Sequence, residues 1–160
     1  ILLVMVKLAR PQLLRHQWAW FPEARFPFYR VSEMKRVSPE FGPPDKTLVT
    51  AEFPGGREGS FWNARDDELV ERAFNALAPV YKLRASERLG GRVIRIPFGY
   101  PDYRLDLDTL RKSLTVQSPV PNVFLAGRFG LHRYIMTEGA FDSGVECGGV
   151  VAKWLEAHMS

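Results

Sequence analysis

The residues best suited to chemistry lie near the carboxyl end of the sequence, in the stretch FLAGRFGLHRYIMTEGAFDSG at 124–144. An apolar run predicts a buried strand that stops at Gly127 and Arg128, and a helix is predicted to begin at Gly139. A helix start presents unpaired backbone N–H groups and a partial positive charge, so a group of negative character can bind there. Gly139 and Ala140 would leave that backbone open to close approach.

Glycines continue along the predicted helix, where each costs about 1 kcal/mol of stability relative to alanine. Gly144 and Gly148 are four residues apart and therefore share one helix face. Two interpretations remain open. The face accepts a flat, electron-rich ligand, or it only packs tightly against another part of the protein.

Strand patterns dominate the first hundred residues. Prolines and glycines separate β-rich runs, which is typical of strands joined by turns. The predicted strands are 1–8, two short aromatic strands within 16–23 and 26–33, Thr47–Phe53, and Arg92–Phe98. Aromatic residues crowd the second and third strands, and Trp18, Trp20, Phe26, Phe28 and Tyr29 are interpreted as core side chains, with a substrate platform as the alternative.

One amphipathic helix interrupts these strands. Asn63 is predicted to cap it, Pro79 to mark its end, and an apolar stripe to face the core. The stripe consists of Leu69, Val70, Ala73, Phe74 and Leu77.

The last sixty residues change to helix, strand, helix. Asp106 is predicted to cap a short helix with Leu107, Leu110 and Leu114 inward, VFLAG at 123–127 to form a buried strand, and 139–157 to form the final helix. The expected fold class is α+β, with a mixed, mainly antiparallel sheet and a packed helix in 1–98, then a returning strand and helix in 99–160.

Composition excludes several classes of protein. With 46% hydrophobic and 25% charged residues the chain is not disordered. The net charge of +4 is scattered, which disfavours nucleic-acid binding. A lone Cys147 and three separated histidines predict no disulfide framework and no metal site.

The first apolar run is too short for a membrane span. It begins at Ile1 inside a strand-like pattern, so we expect a piece of a longer protein.

The closing stretch resembles a known superfamily. GAFDSG, Gly139 to Gly144, is similar to the GA-x-x-SG ending of the amine-oxidase-like flavoproteins, which include protoporphyrinogen oxidase, phytoene-desaturase-type enzymes and UDP-galactopyranose mutase. The longer stretch from 122 to 144 resembles the protoporphyrinogen-oxidase-like and mutase-like branches. WAWFPEARFPFYRVSE and PFGYPDYRLDLD are similar to pieces of the same branch. The G-x-G-x-x-G turn that binds the ADP part of FAD in these proteins does not occur in the sequence.

The resemblance implies cofactor contacts. The backbone of Gly139, Ala140 and Phe141 would meet the O2 and N1 edge of the flavin. Gly127 would allow close approach to the ribityl and phosphate part, where Arg128 would pair with phosphate oxygens. Glu138 stands where mutase-like members often have Asp.

Further residues complete the implied site. Gly144 belongs to the same helix start as the cofactor contacts. On the substrate side the resemblance and the loop positions suggest Tyr100, Tyr103, His132 and Tyr134. No catalytic acid, base or nucleophile stands out.

The expected function is the C-terminal portion of a cytoplasmic FAD-dependent oxidoreductase, inactive by itself, with FAD and a small molecule as ligands. The alternatives are a UDP-galactopyranose-mutase-like flavin isomerase and a non-catalytic α+β binding module. We also expect a homo-oligomer, or a C-terminal unit displaced from its place in the family fold, because the run Val123, Phe124 and Leu125 would otherwise leave a strand unpaired.

Overall fold

The computed structural model describes residues 1–100, 107–111, 118 and 120–158, with the backbone alone at 108 and 110. The chain divides into two compact units, Ile1–Gly99 and Tyr100–Ser160.

The first unit is built on a five-stranded sheet in which every pair of neighbours is antiparallel. Its strands are β1 (Leu2–Leu8), β2 (Trp18–Trp20), β3 (Arg30–Glu33), β4 (Thr47–Phe53) and β5 (Arg88–Arg95). Their order across the sheet is β2-β3-β4-β1-β5. The register places Val4 opposite Ala51 on one side and Val93 on the other. The predicted α+β class is confirmed.

One face of this sheet is covered by α2 (Asp66–Tyr81), which follows the one-turn helix α1 (Ser60–Asn63). The predicted apolar stripe of α2 is buried, as are the alternate residues of β1 and β4, because strand side chains alternate between faces. The fully buried core consists of Leu2, Val4, Val6, Leu8, Val31, Val49, Ala51, Phe53, Leu69, Ala73 and Leu77. Three short 3₁₀ helices, Met34–Arg36, Pro39–Phe41 and Ala85–Glu87, lie in the connections.

Two buried glutamates attach loops to the sheet. The carboxylate of Glu33 accepts hydrogen bonds from the backbone N–H of Leu14 at 2.7 Å and of Leu13 at 2.9 Å, and from the Thr47 hydroxyl at 2.5 Å. Glu87 accepts from the Arg10 guanidinium at 2.7 Å and from the Arg84 N–H at 2.8 Å. Each carboxylate is thereby satisfied, as a buried charge must be.

Three local predictions about the first unit are wrong. Asn63 ends α1 instead of capping α2, which begins after Arg65 without a side-chain cap. Pro79 lies inside α2, which continues to Tyr81 and stops at Lys82 in the left-handed conformation. The strand predicted at Arg92–Phe98 runs instead from Arg88 to Arg95 and includes Gly90 and Gly91.

The predicted aromatic core is only partly realised. Phe28 is buried and contacts Phe21, Phe26 and Phe53. Trp18 and Trp20 are instead 50% and 62% exposed, because they alternate with the inward Ala19 and lie on the sheet face opposite α2.

The second unit contains α3 (Leu107–Arg111), α4 (Gly127–Gly130) and α5 (Thr137–His158). VFLAG forms no strand: Phe124 makes an isolated bridge, and Val123 is 41% exposed. None of the residues 123–127 belongs to the five-stranded sheet, so this run does not have the neighbouring strands that a buried strand requires. The final helix begins at Thr137, two residues before its predicted start. Asp106, Leu114 and the side chain of Leu110 lie outside the described residues.

Candidate functional site

Arg128 is the most unusual side chain of the second unit. It lies in the one-turn helix α4, and its guanidinium carbon is 4.0 Å from the ring centroid of Tyr134 and 4.9 Å from that of Tyr100. Two rings at this distance attract the cation and hold the guanidinium in position. Its Nε and Nη2 atoms are buried and have no hydrogen-bond partner among the described residues.

These unpaired donors indicate an anionic ligand. A buried charged donor without a partner loses its hydration and gains nothing in return, which costs stability. A carboxylate or phosphate would accept two parallel N–H bonds from a guanidinium. Such charge-assisted bonds are roughly twice as strong as hydrogen bonds between neutral groups. The arrangement at Arg128 therefore fits the phosphate group that the sequence resemblance implies.

Gly127 precedes Arg128 and sets the backbone conformation at the start of α4. Its φ of +73° lies in the left-handed region, and the space where a Cβ would stand is open to 4 Å. Its N–H donates to the Oγ of Ser143 at 2.9 Å, and Ser143 is buried in α5. The hydrogen bond attaches the start of α4 to the second turn of α5. Sequence reasoning did not single out Ser143 as the partner of Gly127, although it belongs to the quoted GAFDSG motif.

The first turn of α5 supplies backbone donors, two residues earlier than predicted. The N–H of Ala140 donates to the carbonyl of Met136 at 3.0 Å, so it is already used within the helix. The N–H groups of Thr137, Glu138 and Gly139 precede it and have no backbone acceptor among the described residues. A Cβ at Gly139 would lie 3.0 Å from the Cβ of Ile135, which gives that glycine a packing reason.

A strip of α5 has space beside it. No atom lies within 4 Å of the position a Cβ would take at Gly144, Gly148 or Gly149. Phe141 and Val145, on the same face, are 72% and 63% exposed. The packing interpretation of these glycines therefore finds no partner within the part of the chain that the structure describes.

Two of the four suggested substrate-side residues contact the same arginine. The rings of Tyr100 and Tyr134 both contact the guanidinium of Arg128. His132 is exposed, with φ of +47°, and its carbonyl accepts from Nε of Arg111 at 2.7 Å. Arg111 carried no signal in the sequence. Tyr103 lies outside the described residues.

Across 1–100 and the described parts of the second unit, no three His, Cys, Asp or Glu side chains converge as metal ligands. None of the helices described is both long enough and apolar enough to cross a membrane.

Comparison with known proteins places the chain in a family. The family model for flavin containing amine oxidoreductase matches residues 12–151. The crystal structure of a reduced UDP-galactopyranose mutase is similar, with a TM-score of 0.62 and 22% identity over 83% of this chain. The match covers 28% of the mutase chain, so the present chain spans under a third of that relative. No curated protein sequence matches significantly. Because the family model covers most of its length, the chain belongs to the flavin-containing amine oxidoreductase family.

Proposed function

We propose that the chain forms part of an FAD-dependent oxidoreductase. In this proposal residues 1–98 contribute to the substrate domain, and residues 99–160 return to the FAD-binding domain. The family match supports a flavoprotein over a non-catalytic binding module. The observation that carries the proposal is Arg128, whose guanidinium contacts two tyrosine rings and has buried donors without a partner among the described residues.

Each proposed contact has a physical task. Arg128 binds phosphate oxygens of FAD, and Tyr100 and Tyr134 keep its guanidinium plane fixed. Gly127 keeps the approach to the ribityl and phosphate part open, since no side chain projects there. The open N–H groups of Thr137, Glu138 and Gly139 face the electron-rich edge of the ring system, where the helix dipole favours negative charge. Ala140, Phe141 and Gly144 line the adjoining surface of α5.

Bound FAD would supply the hydride chemistry, which the protein positions and tunes. The side chains of this site need not include an acid or base for that step. The described residues bind, orient and exclude water, and a small-molecule substrate would approach from the side of Tyr134 and His132. The open face of α5 would pack against the remainder of the cofactor domain.

The test uses the full-length flavoprotein that contains this chain. We expect it to purify yellow, with the absorption bands of bound flavin, and to release FAD on denaturation. Arg128→Ala should weaken FAD binding by about 1.5–3 kcal/mol, the range for a hydrogen bond to a charged group. FAD affinity would be measured by titration of the apoprotein.

Arg133→Ala provides the matched control, because this neighbouring arginine is exposed. It should leave FAD affinity unchanged. If Arg128→Ala binds FAD as tightly as the native protein does, with unchanged thermal stability, the phosphate contact is wrong. If the full-length protein binds no flavin, the proposed function itself is wrong.

A further inference from the structure

Ser143 differs from its neighbours on α5 in being buried. It is the only buried one among the described residues of that helix. Phe141 and Val145, two positions to either side, are 72% and 63% exposed. A buried hydroxyl is unfavourable unless a hydrogen-bond partner satisfies it. The partner of Ser143 therefore indicates why a serine, and not an apolar residue, lies at this position.

That partner is the start of the turn that carries Arg128. Oγ of Ser143 accepts a hydrogen bond from the N–H of Gly127 at 2.9 Å, across 16 positions of sequence. Helix α4 has no cap of its own, because Ala126 at its N-cap offers no side-chain acceptor. Ser143 thus satisfies an N–H at the start of α4, as a capping side chain does, but from another helix.

The turn that follows Gly127 is fixed at its far end as well. The N–H of Leu131 donates to the carbonyl of Gly127 at 3.1 Å, and the side chain of Leu131 is buried. The carbonyl of His132 accepts from Nε of Arg111 at 2.7 Å. Both ends of the turn are therefore held, and with them the backbone of Arg128 between them.

Helix α5 also supplies the other proposed contacts of the cofactor. The N–H groups of Thr137, Glu138 and Gly139 lie in its first turn, and Ser143 lies in its second. A ligand that reaches from those N–H groups to Arg128 needs both sets of donors at a constant relative position. Hydrogen bonds weaken steeply when their distance and angle depart from the optimum.

We propose that Ser143 is a positioning residue for the cofactor. Its hydroxyl holds the turn at Gly127 against α5 and so places the unpaired donors of Arg128 where they meet phosphate oxygens. This inference rests on the proposed function and adds to it a residue that acts without touching FAD. The effect of Ser143 on FAD affinity passes through Arg128.

The alternative is that the hydroxyl serves the fold alone. Its removal would then lower the stability of the second unit and weaken FAD binding whether or not Arg128 is present. The two roles differ in one measurable property, which is the dependence of the Ser143 effect on Arg128.

A double-mutant cycle in the full-length flavoprotein separates these roles. FAD affinity is measured by titration of the apoprotein. Ser143→Ala should weaken FAD binding about fivefold, within the range for one neutral hydrogen bond. In the presence of Arg128→Ala the same change should have no further effect. Ser143→Thr, which keeps the hydroxyl, should bind FAD more tightly than Ser143→Ala.

Ser118→Ala is the matched control. The Ser118 hydroxyl also accepts a backbone N–H, that of Val120 at 3.1 Å, in the same unit but in another turn. Its removal should leave FAD affinity unchanged. Amide hydrogen exchange of the apoprotein gives a second readout that needs no cofactor. The Gly127 amide should exchange faster in Ser143→Ala and at the native rate in Ser118→Ala.

Four results would overturn the inference: unchanged FAD affinity in Ser143→Ala, an equal loss with and without Arg128, a loss in Ser143→Thr as large as in Ser143→Ala, or unchanged exchange at Gly127. A full-length protein that binds no flavin would count against the proposed function and this inference together. If flavin binds and Arg128→Ala weakens it, but Ser143→Ala acts independently, only the positioning role is wrong.

Discussion

At the scale of single residues, the contrast between Arg128 and Arg95 is informative. Arg95 is fully used inside the first unit, since its guanidinium donates to the carbonyl of Trp62 at 2.9 Å, to that of Ala64 at 2.7 Å and to Asp66 at 2.6 Å. Arg128 is just as well held, by two rings, but its Nε and Nη2 have no acceptor among the described residues. The first arginine is structural, and the second is the one that we propose binds a ligand.

Glu87 makes the stability of the first unit dependent on pH. The Arg84 backbone N–H and then the Arg10 guanidinium hold the pKa of the Glu87 carboxyl below its ordinary value of 4.5. A lowered pKa means that the folded state favours the ionised form, so this contribution is present above pH 4.5 and is lost as the pH falls through the folded pKa.

We therefore expect Glu87→Gln to destabilise the protein at pH 7 and to have a shrinking effect as the pH falls toward 3. Denaturant unfolding at several pH values would measure the difference. Glu23→Gln is the control, because Glu23 is exposed and its ion pair is with the equally exposed Arg25. A Glu87→Gln deficit that is equally large at pH 3 and pH 7 would contradict the prediction.

At the scale of elements, Gly91 determines how closely α2 packs on the edge of the sheet. A Cβ at this position would lie 2.1 Å from the carbonyl oxygen of Met5 and 2.7 Å from Cγ1 of Val70. Backbone on one side and a buried helix residue on the other leave no easy movement. Glycine is therefore required where strand β5 pairs with β1 beneath the helix.

Gly91→Ala should destabilise the protein by about 1–3 kcal/mol, as overpacking of a tight site does. Thermal and denaturant unfolding would show it. Gly56→Ala is the matched control, since no atom lies within 4 Å of its Cβ position and its φ lies outside the left-handed region. Equal stability of the two variants would mean that β5 moves away from α2 at little cost.

The elements that could be predicted are those whose pattern reflects their own burial. Strands β1 and β4 and the stripe of α2 follow the alternation and the helical spacing that one buried face imposes. The family was also accessible, because the glycine-rich closing segment is a specific pattern.

Other features depend on distant residues and left no local signal. The entry to α2 is fixed by Arg95, some 30 positions along the chain, and so Asn63 is not needed as a cap. Pro79 does not end α2 at once because only Val80 and Tyr81 follow it in the helix, so its missing N–H and its ring disturb the last turn alone. At the candidate site, Arg128 was identified from its motif, but its two flanking tyrosines come from positions 100 and 134, and only the fold brings them together.

At the scale of the whole molecule, exposed apolar surface on α5 predicts self-association of the 160-residue chain. Phe141 is 72% exposed and Val145 is 63% exposed, with Gly144 and Gly148 beside them. Such a face is favourable to bury, and another copy is the available partner when the chain is alone.

Sedimentation velocity over micromolar concentrations should therefore reveal oligomers, and Phe141→Ser combined with Val145→Ser should shift the chain toward monomer. Val80→Ser provides the control, because Val80 is an exposed residue of α2 in the first unit. A monomer at every concentration, with the native sequence, would contradict the expectation.

The order of the strands has a consequence for how the chain acquires its structure during synthesis. Of the five strands of the sheet β1 is made first, yet its two neighbours, β4 and β5, begin at Thr47 and Arg88. Both pairings close long loops, which slows folding because chain entropy is lost before the contacts form. The apolar residues of β1 thus remain without β5, their second neighbouring strand, until Arg95 has emerged from the ribosome. Over that interval the nascent chain depends on chaperones, or on the speed of translation, to keep this strand from pairing with another molecule.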